Sequence, residues 1–423
     1  MGSVRILIWH GYLLAGTGSN VYTRAMARAW SRAGHDVVVL SQDPCPERYD
    51  LGGATVVRPE IDGPLPVFVL DHYPGARPQL LGKMSRRDRE RFVEQNVAAV
   101  REQGPADLLL ANHVLLGGPV GAASGLPYVV KTHGSELEFA MRGNEELCAW
   151  GRESLRGATA VVAGSHHVQG VLQDLVGPAP DTVHVVPPGV DVDFLRPRER
   201  SEALVDLLAE CARDQPNPRG ASHDGRRPDD DNAARLDAFF ADDRPTVVYV
   251  GKLSAEKGVA LLVEAMRQVQ ARAVVVGFGP ARAELEAAAG SDVLFTGPLE
   301  HRHLAHLWPL ADVSVTPSVF PEAFGMVAAE AASCGSPPLV ARHSGLAEVA
   351  AGLEDEYPSH LVGLAGFRSG DVGDLTDQLR AILSLSVEDR VALSAGARRA
   401  AERLWSWEHV ARRVLDLGTS SAE

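Results

Sequence analysis

Cysteine is scarce and scattered in this chain. Cys45, Cys148, Cys211 and Cys334 lie far apart, with no CxxC pair and no metal-ligand spacing. That excludes a disulfide framework and reads as reduced thiols in a cytoplasm. Long apolar runs are also missing: none reaches the roughly 18 residues that a membrane-crossing helix needs, so no integral membrane segment is expected. The apolar stretch 4–9 is too short for the core of a secretory leader, and Ile6 stands where a myristoylation signal wants Ser or Thr. Positive charge is in deficit, with 41 Lys+Arg against 55 Asp+Glu and a net charge of -14, which works against a non-specific hold on nucleic acid. Lysine in particular is rare: the chain has Lys83, Lys131, Lys252 and Lys257 and otherwise uses arginine. A chain so biased is expected to keep lysine where a compact point charge matters, and three of the four fall in the motifs below.

What is present is a globular balance, 45% hydrophobic and 23% charged. At 423 residues the chain is too long for one ordinary core, so two domains are expected. The first half alternates short apolar runs with amphipathic stretches. VRILIW, DVVVL, ATVV, DLLLAN, YVVKTHG, TAVVAGS and VHVVPPG read as buried parallel strands, with helices between them at 22–33 and 87–103. Pro, Gly, Asp and Arg then crowd residues 198–243, as in DQPNPRGASHDGRRPDDDN. This reads as an acidic, partly disordered insertion with short helices at 202–211 and 233–240. The rhythm restarts with TVVYVGK, RAVVVGFG, VLFTG, VSVTPS, PPLVA and HLVGLAG, and LWSWEHVARRVLDLG closes the chain as an amphipathic helix. The fold class is therefore α/β with two doubly wound, Rossmann-like domains, whose sites are expected at the carboxyl ends of the strands.

The richest stretch is SVFPEAFGMVAAEAASCGSPPLVARHSGLAEV, residues 318–349. A helix starting near Phe324, Gly325, Met326 and Val327 would present free backbone N–H groups and a positive dipole end, which suits a diphosphate or a sugar hydroxyl. Glu322 precedes that helix and Glu330 lies about two turns in, so both carboxylates can reach one side. GKLSAEKG sets Lys252 and Lys257 directly after a strand, and Gly277, Phe278 and Gly279 close the next one. TGPLEHRHL carries Leu299 and an H-x-H-x(2)-H run, His301, His303 and His306, which reads as a polar helix face rather than a metal site. In the first half, LLAGTGSNVY places Gly16 and Gly18 in a glycine-rich turn opening a helix, yet Val21 occupies the third glycine of a dinucleotide fingerprint. Lys131-Thr132-His133-Gly134 and Asn112-His113 each end a strand.

The string E-x(7)-E followed by Cys334-Gly335-Ser336-Pro337 and Ser344-Gly345-Leu346-Ala347-Glu348-Val349 closely resembles the signature of family 4 of the retaining glycosyltransferases. The resemblance covers nearly the whole chain and is strongest over 251–349. It implies a GT-B fold: two facing Rossmann-like domains, an acceptor domain at 1–197 and a donor domain at 244–403, with 404–423 crossing back to the first. It also implies a nucleotide-sugar donor, a hydroxyl acceptor, small and soluble by default, and no metal or other cofactor. By the same resemblance Lys257 and Lys252 grip the donor diphosphate, although Lys252 replaces the usual Arg and loses its bidentate fork. Gly277, Phe278, Gly279 and Leu299 then lie along the nucleotide base and Glu330 meets the ribose. Glu322 holds the sugar with the backbone of 324–327, and Gly16 and Gly18 approach the donor phosphate. His133 reaches the sugar from the opposite domain, so His133, Glu322 and Lys257 are the expected catalytic set, with Asn112 and His113 toward the acceptor.

Two further patterns carry less. Asp191-Val192-Asp193 sits in VVPPGVDVDFLRP, which resembles a structural stretch of the same family rather than a metal motif. KMSRRDRERF is diluted by Asp88 and Glu90, which favours a solvated helix over a peripheral membrane contact. The other readings are a nucleotide-sugar 2-epimerase of the same fold and a non-catalytic nucleotide-sugar-binding protein. An isomerised nucleotide sugar made without acceptor would mark the first, and tight donor binding without turnover the second.

Overall fold

The computed structural model describes every residue except 1, 15, 17, 71–72, 74, 178–181, 216–226 and 420–423. It divides into two compact units, Met1–Gly189 with Trp407–Glu423, and Val190–Ser406.

The first unit is built on a seven-stranded sheet. From one edge its strands run Thr55–Val57, Asp36–Leu40, Arg5–Trp9, Leu108–Asn112, Tyr128–Lys131, Ala160–Ala163 and Val183–Val185, all pairs parallel. These are the seven runs read as strands, and they read as unbroken apolar stretches because both faces are covered: Ile6, Leu7, Ile8 and Trp9 are fully buried. Helices Gly18–Arg32 and Arg86–Glu102 cover two of the crossovers. The second starts where Ser85 accepts from the Asp88 N–H, an N-cap typically worth about 1 kcal/mol. A two-stranded parallel sheet, Leu65–Val67 with Pro78–Leu80, was not legible beforehand, because each strand is three residues long and carries a proline. The closing helix is Trp407–Thr419, and it packs in this unit: Trp30 Nε1 donates to Ala411 O at 3.0 Å, and the Tyr22 and Trp407 rings meet edge to face at 5.5 Å. Leu404 ends the preceding helix, and Trp405-Ser406 join it to the closing one.

The second unit carries a six-stranded sheet in the order Val293–Gly297, Arg272–Val276, Thr246–Val250, Val313–Thr316, Pro338–Ala341 and Gly366–Phe367, again all parallel. The strand expected over HLVGLAG is only Gly366–Phe367. Leu361 and Leu364 instead donate back into tight turns, to Pro358 O and Leu361 O, and Gly363 has φ +102. Pro358 and Gly363 outweigh the apolar run. Helices Arg200–Cys211 and Asn232–Phe239 occupy the described part of the acidic stretch. They belong to this unit's core, where Leu207 and Leu236 are fully buried in one cluster with Trp308. The middle of that stretch, 216–226, lies outside the described residues.

Numbered within each sheet, both orders begin 3-2-1-4-5-6, so each has its crevice outside the carboxyl ends of the strands where the winding reverses. In the second unit the loops there are zipped together: Gly251 N donates to Val276 O, Leu253 N to Phe278 O and Ala281 N to Leu253 O, at 2.8 to 3.0 Å. Gly277, at φ +142, permits this approach, since a Cβ would lie 1.8 Å from Gly251 O. Gly277→Ala is therefore expected to destabilise the fold by about 2–3 kcal/mol or more, read as a lowered midpoint in urea unfolding; an unchanged midpoint would contradict this packing.

Candidate functional site

In the second unit the switch point falls between Thr246–Val250 and Val313–Thr316, and both following loops carry the expected residues. The turn 255–257 is tied to the loop after the second strand, because Val319 N, Phe320 N and Ser318 Oγ all donate to Glu256 O, at 2.9, 3.2 and 3.1 Å. Gly258 takes φ +65, and a Cβ there would lie 1.9 Å from Pro317 O. This docking brings Lys257 Nζ to 2.5 Å from Glu322 Oε1, a pair with side chains 36% and 21% exposed. Glu322 is fixed from behind: its N–H donates to Ser344 Oγ at 2.9 Å and its carbonyl accepts from Gly345 N–H at 3.0 Å. His343 Nε2 donates to Ser318 O at 2.6 Å and holds the same loop.

Phe324 is buried edge to face against Trp405, so its backbone and not its ring is available. Gly325, at φ +129, opens the helix Met326–Ser333, and its carbonyl accepts from Ala328 and Ala329. The N–H groups of Met326 and Val327 therefore come before the first intrahelical donor, Ala328, and have no acceptor within the helix. Glu330 lies on that helix with a side chain 9% exposed, and its Oε1 meets His301 Nε2 at 3.1 Å. The two carboxylates thus have separate partners, Lys257 and His301. Lys252 is exposed, on a turn that Tyr249 Oη fastens through Lys252 O at 2.9 Å. Leu299 is half-buried against the cluster around Trp308.

The histidine run does not form the simple polar face expected. His301 meets Glu330 and His306 meets Arg198, while His303 is 1% exposed, because the helix Arg200–Cys211 and the turn after it lie against it. Cys211, Asp214 and His303 come close enough to hold a metal ion. However, His303 Nδ1 accepts from Glu300 N–H at 3.1 Å. Its proton is thereby placed on Nε2, which donates to Asp214 at 3.1 Å and has no lone pair to give a metal. Asp191 likewise serves as a cap, accepting from Phe194 N–H at 3.0 Å.

In the first unit the corresponding carboxyl ends hold a buried polar cluster. Asn112 and His113 are 0% and 1% exposed. Asn112 Nδ2 donates to Trp9 O at 3.3 Å, and its Oδ1 accepts from His133 Nε2 at 2.7 Å. His133 Nδ1 is then the unprotonated nitrogen. Burial, then the charges of His113 and Lys131, push the His133 pKa well below its usual value, so the ring is neutral. His10 is pushed down to about 3 by burial and the charge of His113. Lys131, 2% exposed with its ammonium 5.3 Å from the Tyr22 ring, is lowered to about 7 by burial, with Glu136 opposing. For Glu136, fully buried, desolvation raises the carboxyl but the charge and hydrogen bond of His113 and backbone N–H donors outweigh it, leaving its pKa below normal. The acceptor contacts expected of Asn112 and His113 thus meet side chains already enclosed and bonded inward. Gly18 starts the helix Gly18–Arg32 and Gly16 takes φ +95, with Thr17 between them outside the described residues.

Sequence reasoning passed over Glu136, His10, His301, His343 and Ser344 as site residues. Glu136, three residues after His133, had only that spacing as a signal. On the helix Arg86–Glu102, Arg86 and Arg91 pair with Glu90 and Asp88, which fits the solvated reading. Among the described residues no helix is long and apolar enough to cross a membrane.

Comparison with known proteins agrees with this architecture. Residues 16–194 match the family described as Glycosyltransferase Family 4, and residues 244–384 that described as Glycosyl transferases group 1. The chain is 32% identical over 269 residues to a D-inositol 3-phosphate glycosyltransferase of Xylanimonas cellulosilytica, across 61% of this chain and 56% of the relative. The match thus spans little more than half of that relative's length. The enzyme of the same name from Thermomonospora curvata is 27% identical over 452 residues, across 96% and 91%. Among solved structures, Anabaena Alr3699/HepE in complex with UDP and glucose superposes with a TM-score of 0.67 at 16% identity, covering 100% of both chains; at that identity the likeness is one of fold. With each half matched to its own family description and two parallel-sheet units of the GT-B kind, the chain belongs to family 4 of the glycosyltransferases.

Proposed function

We propose that this chain transfers a sugar from a nucleotide-sugar donor to a hydroxyl acceptor, with retention at the anomeric carbon and without a divalent metal. The observation that carries this reading is the Lys257–Glu322 pair at the head of the helix Met326–Ser333. It is a cation and a carboxylate in the loops leading to a helix whose first N–H groups have no intrahelical acceptor, the set of parts a leaving diphosphate and a sugar need.

On this reading the diphosphate takes Lys257 from Glu322, and Lys252 and the N–H groups of Met326 and Val327 add to its neutralisation. Glu322, released, accepts from sugar hydroxyls, while the backbone of 324–325 limits the sugar's approach. Glu330 accepts from the ribose diol, and Gly277, Phe278, Gly279 and Leu299 flank the base. His133, neutral, with Nε2–H given to Asn112, presents Nδ1 as an acceptor for a hydroxyl and not as a cation. Gly16 and Gly18, at the start of their helix, approach donor phosphate. Asn112 then acts one layer behind, by setting the His133 tautomer. The leaving phosphate takes the acceptor proton, so no separate base is required.

The donor class is supported by the UDP and glucose in the HepE structure. The name of the curated relatives makes a phosphorylated cyclitol the first acceptor to try. The test is a reaction in EDTA with glucose nucleotides and inositol 3-phosphate, followed by proton NMR. A new glycoside with the donor's anomeric configuration is expected. An inverted product, a strict metal requirement, or an isomerised nucleotide sugar made without acceptor would overturn the reading.

A further inference from the structure

We propose that Glu136 is a positioning residue of this chemistry: it holds His113 in the tautomer that leaves Nε2 an acceptor, and it fixes the backbone that carries His133. This rests on the transfer reading for its effect on rate, but not for its effect on the rings.

Glu136 is 0% exposed, and a carboxylate so placed is costly unless its lone pairs are used. Both oxygens are used, and on two different histidines. Oε1 accepts from the backbone N–H of His133 at 3.0 Å, and Oε2 accepts from His113 Nδ1 at 3.2 Å. A carboxylate cannot donate, so Nδ1 of His113 carries a proton toward Oε2, and in the neutral ring Nε2 keeps its lone pair. That Nε2 is buried and has no hydrogen-bond partner among the described residues, and neither has the Tyr12 hydroxyl, whose ring is centred 5.3 Å from that of His113.

His113 itself is strained. It takes φ +69 and opens a π-helical turn, His113–Gly117, at the carboxyl end of the strand Leu108–Asn112. A non-glycine residue persists there only where its surroundings over-determine it, as functional sites do. Its ring lies 4.7 Å from that of His133, 5.0 Å from Phe68 and 6.4 Å from His10. Lys131, Tyr22, His10, Tyr12 and Tyr73 are further titratable groups in this cluster.

A purely structural role accounts poorly for the arrangement. An apolar core of the same volume would leave no orphaned nitrogen and no buried charge, and such replacements are usually neutral or stabilising. Two imidazoles each held in one tautomer, His113 by Glu136 and His133 by Asn112, instead set a pair of acceptor nitrogens at the sheet's switch point.

The experiment is long-range proton–nitrogen NMR on the full chain with labelled histidine, comparing wild type, Glu136→Gln and Glu136→Asp, with His113→Gln to assign the ring. His113 protonated on Nδ1 is expected in wild type. The Gln variant, whose amide can donate, is expected to move that proton to Nε2 and to lower kcat/KM by about 10- to 100-fold, measured with whichever glucose nucleotide the protein binds; Asp should restore most of both. A wild-type His113 protonated on Nε2 overturns the proposal, and this needs no folded Gln variant. So does a Gln variant with wild-type kinetics. If no nucleotide sugar is turned over by any form while the tautomers behave as expected, the transfer reading fails and the positioning of the rings stands.

Discussion

Lys257→Ala is expected to lower kcat by about 10²- to 10³-fold, or about 3–4 kcal/mol of transition-state stabilisation, while moving Tm by no more than a few degrees. The two halves of that expectation come from one geometry. The ammonium sits 2.5 Å from Glu322, but both side chains are partly solvated, so the pair contributes about 1 kcal/mol or less to folding. With a diphosphate leaving, the same charge faces a group that gains negative charge as the bond breaks, and there it acts on the barrier. Lys257→Arg should recover part of the rate by keeping the charge, though with a different shape. Equal rates for wild type and Ala would remove Lys257 from the chemistry.

Glu330→Ala is expected to weaken donor binding by about 100-fold, roughly 2.7 kcal/mol, with stability unchanged or increased. The helix Met326–Ser333 reads MVAAEAAS, and Glu330 is a charged group among buried alanines. Its carboxylate meets His301, whose side chain is itself 54% exposed. That is thin compensation for lost hydration, and alanine is the better helix former at that position. A residue that costs stability and is kept for binding should show both effects at once. Calorimetry with the donor and a thermal melt on the same sample would check it, and a large drop in Tm with unaltered affinity would make Glu330 a structural group instead.

Much of this was legible in the residues. Parallel strands buried on both faces announce themselves as runs such as VRILIW and RAVVVGFG, and glycines at close approaches mark the loops between them. The E-x(7)-E string located the helix that carries Glu330 in its second turn and the loop before it that carries Glu322. What stayed hidden depends on contacts far apart in sequence. Glu322 is clamped by Ser344 across 22 residues. His303 is buried because a helix a hundred residues upstream, inside a stretch whose composition reads as insertion, lies against it. The π-helical turn that opens at His113 gives no periodic signal, and Glu136 was passed over because a carboxylate ordinarily faces water. The strand misread at HLVGLAG failed for the local reason that Pro358 and Gly363 turn the chain.

The measurement that bears most directly on the central claim is calorimetric titration with UDP-, GDP-, ADP- and dTDP-glucose in EDTA, for wild type and Glu330→Ala side by side. The account predicts binding of one nucleotide class without added metal, strongly weakened in the variant. No binding by wild type, binding only when a divalent ion is restored, or equal affinity in the two proteins would contradict it.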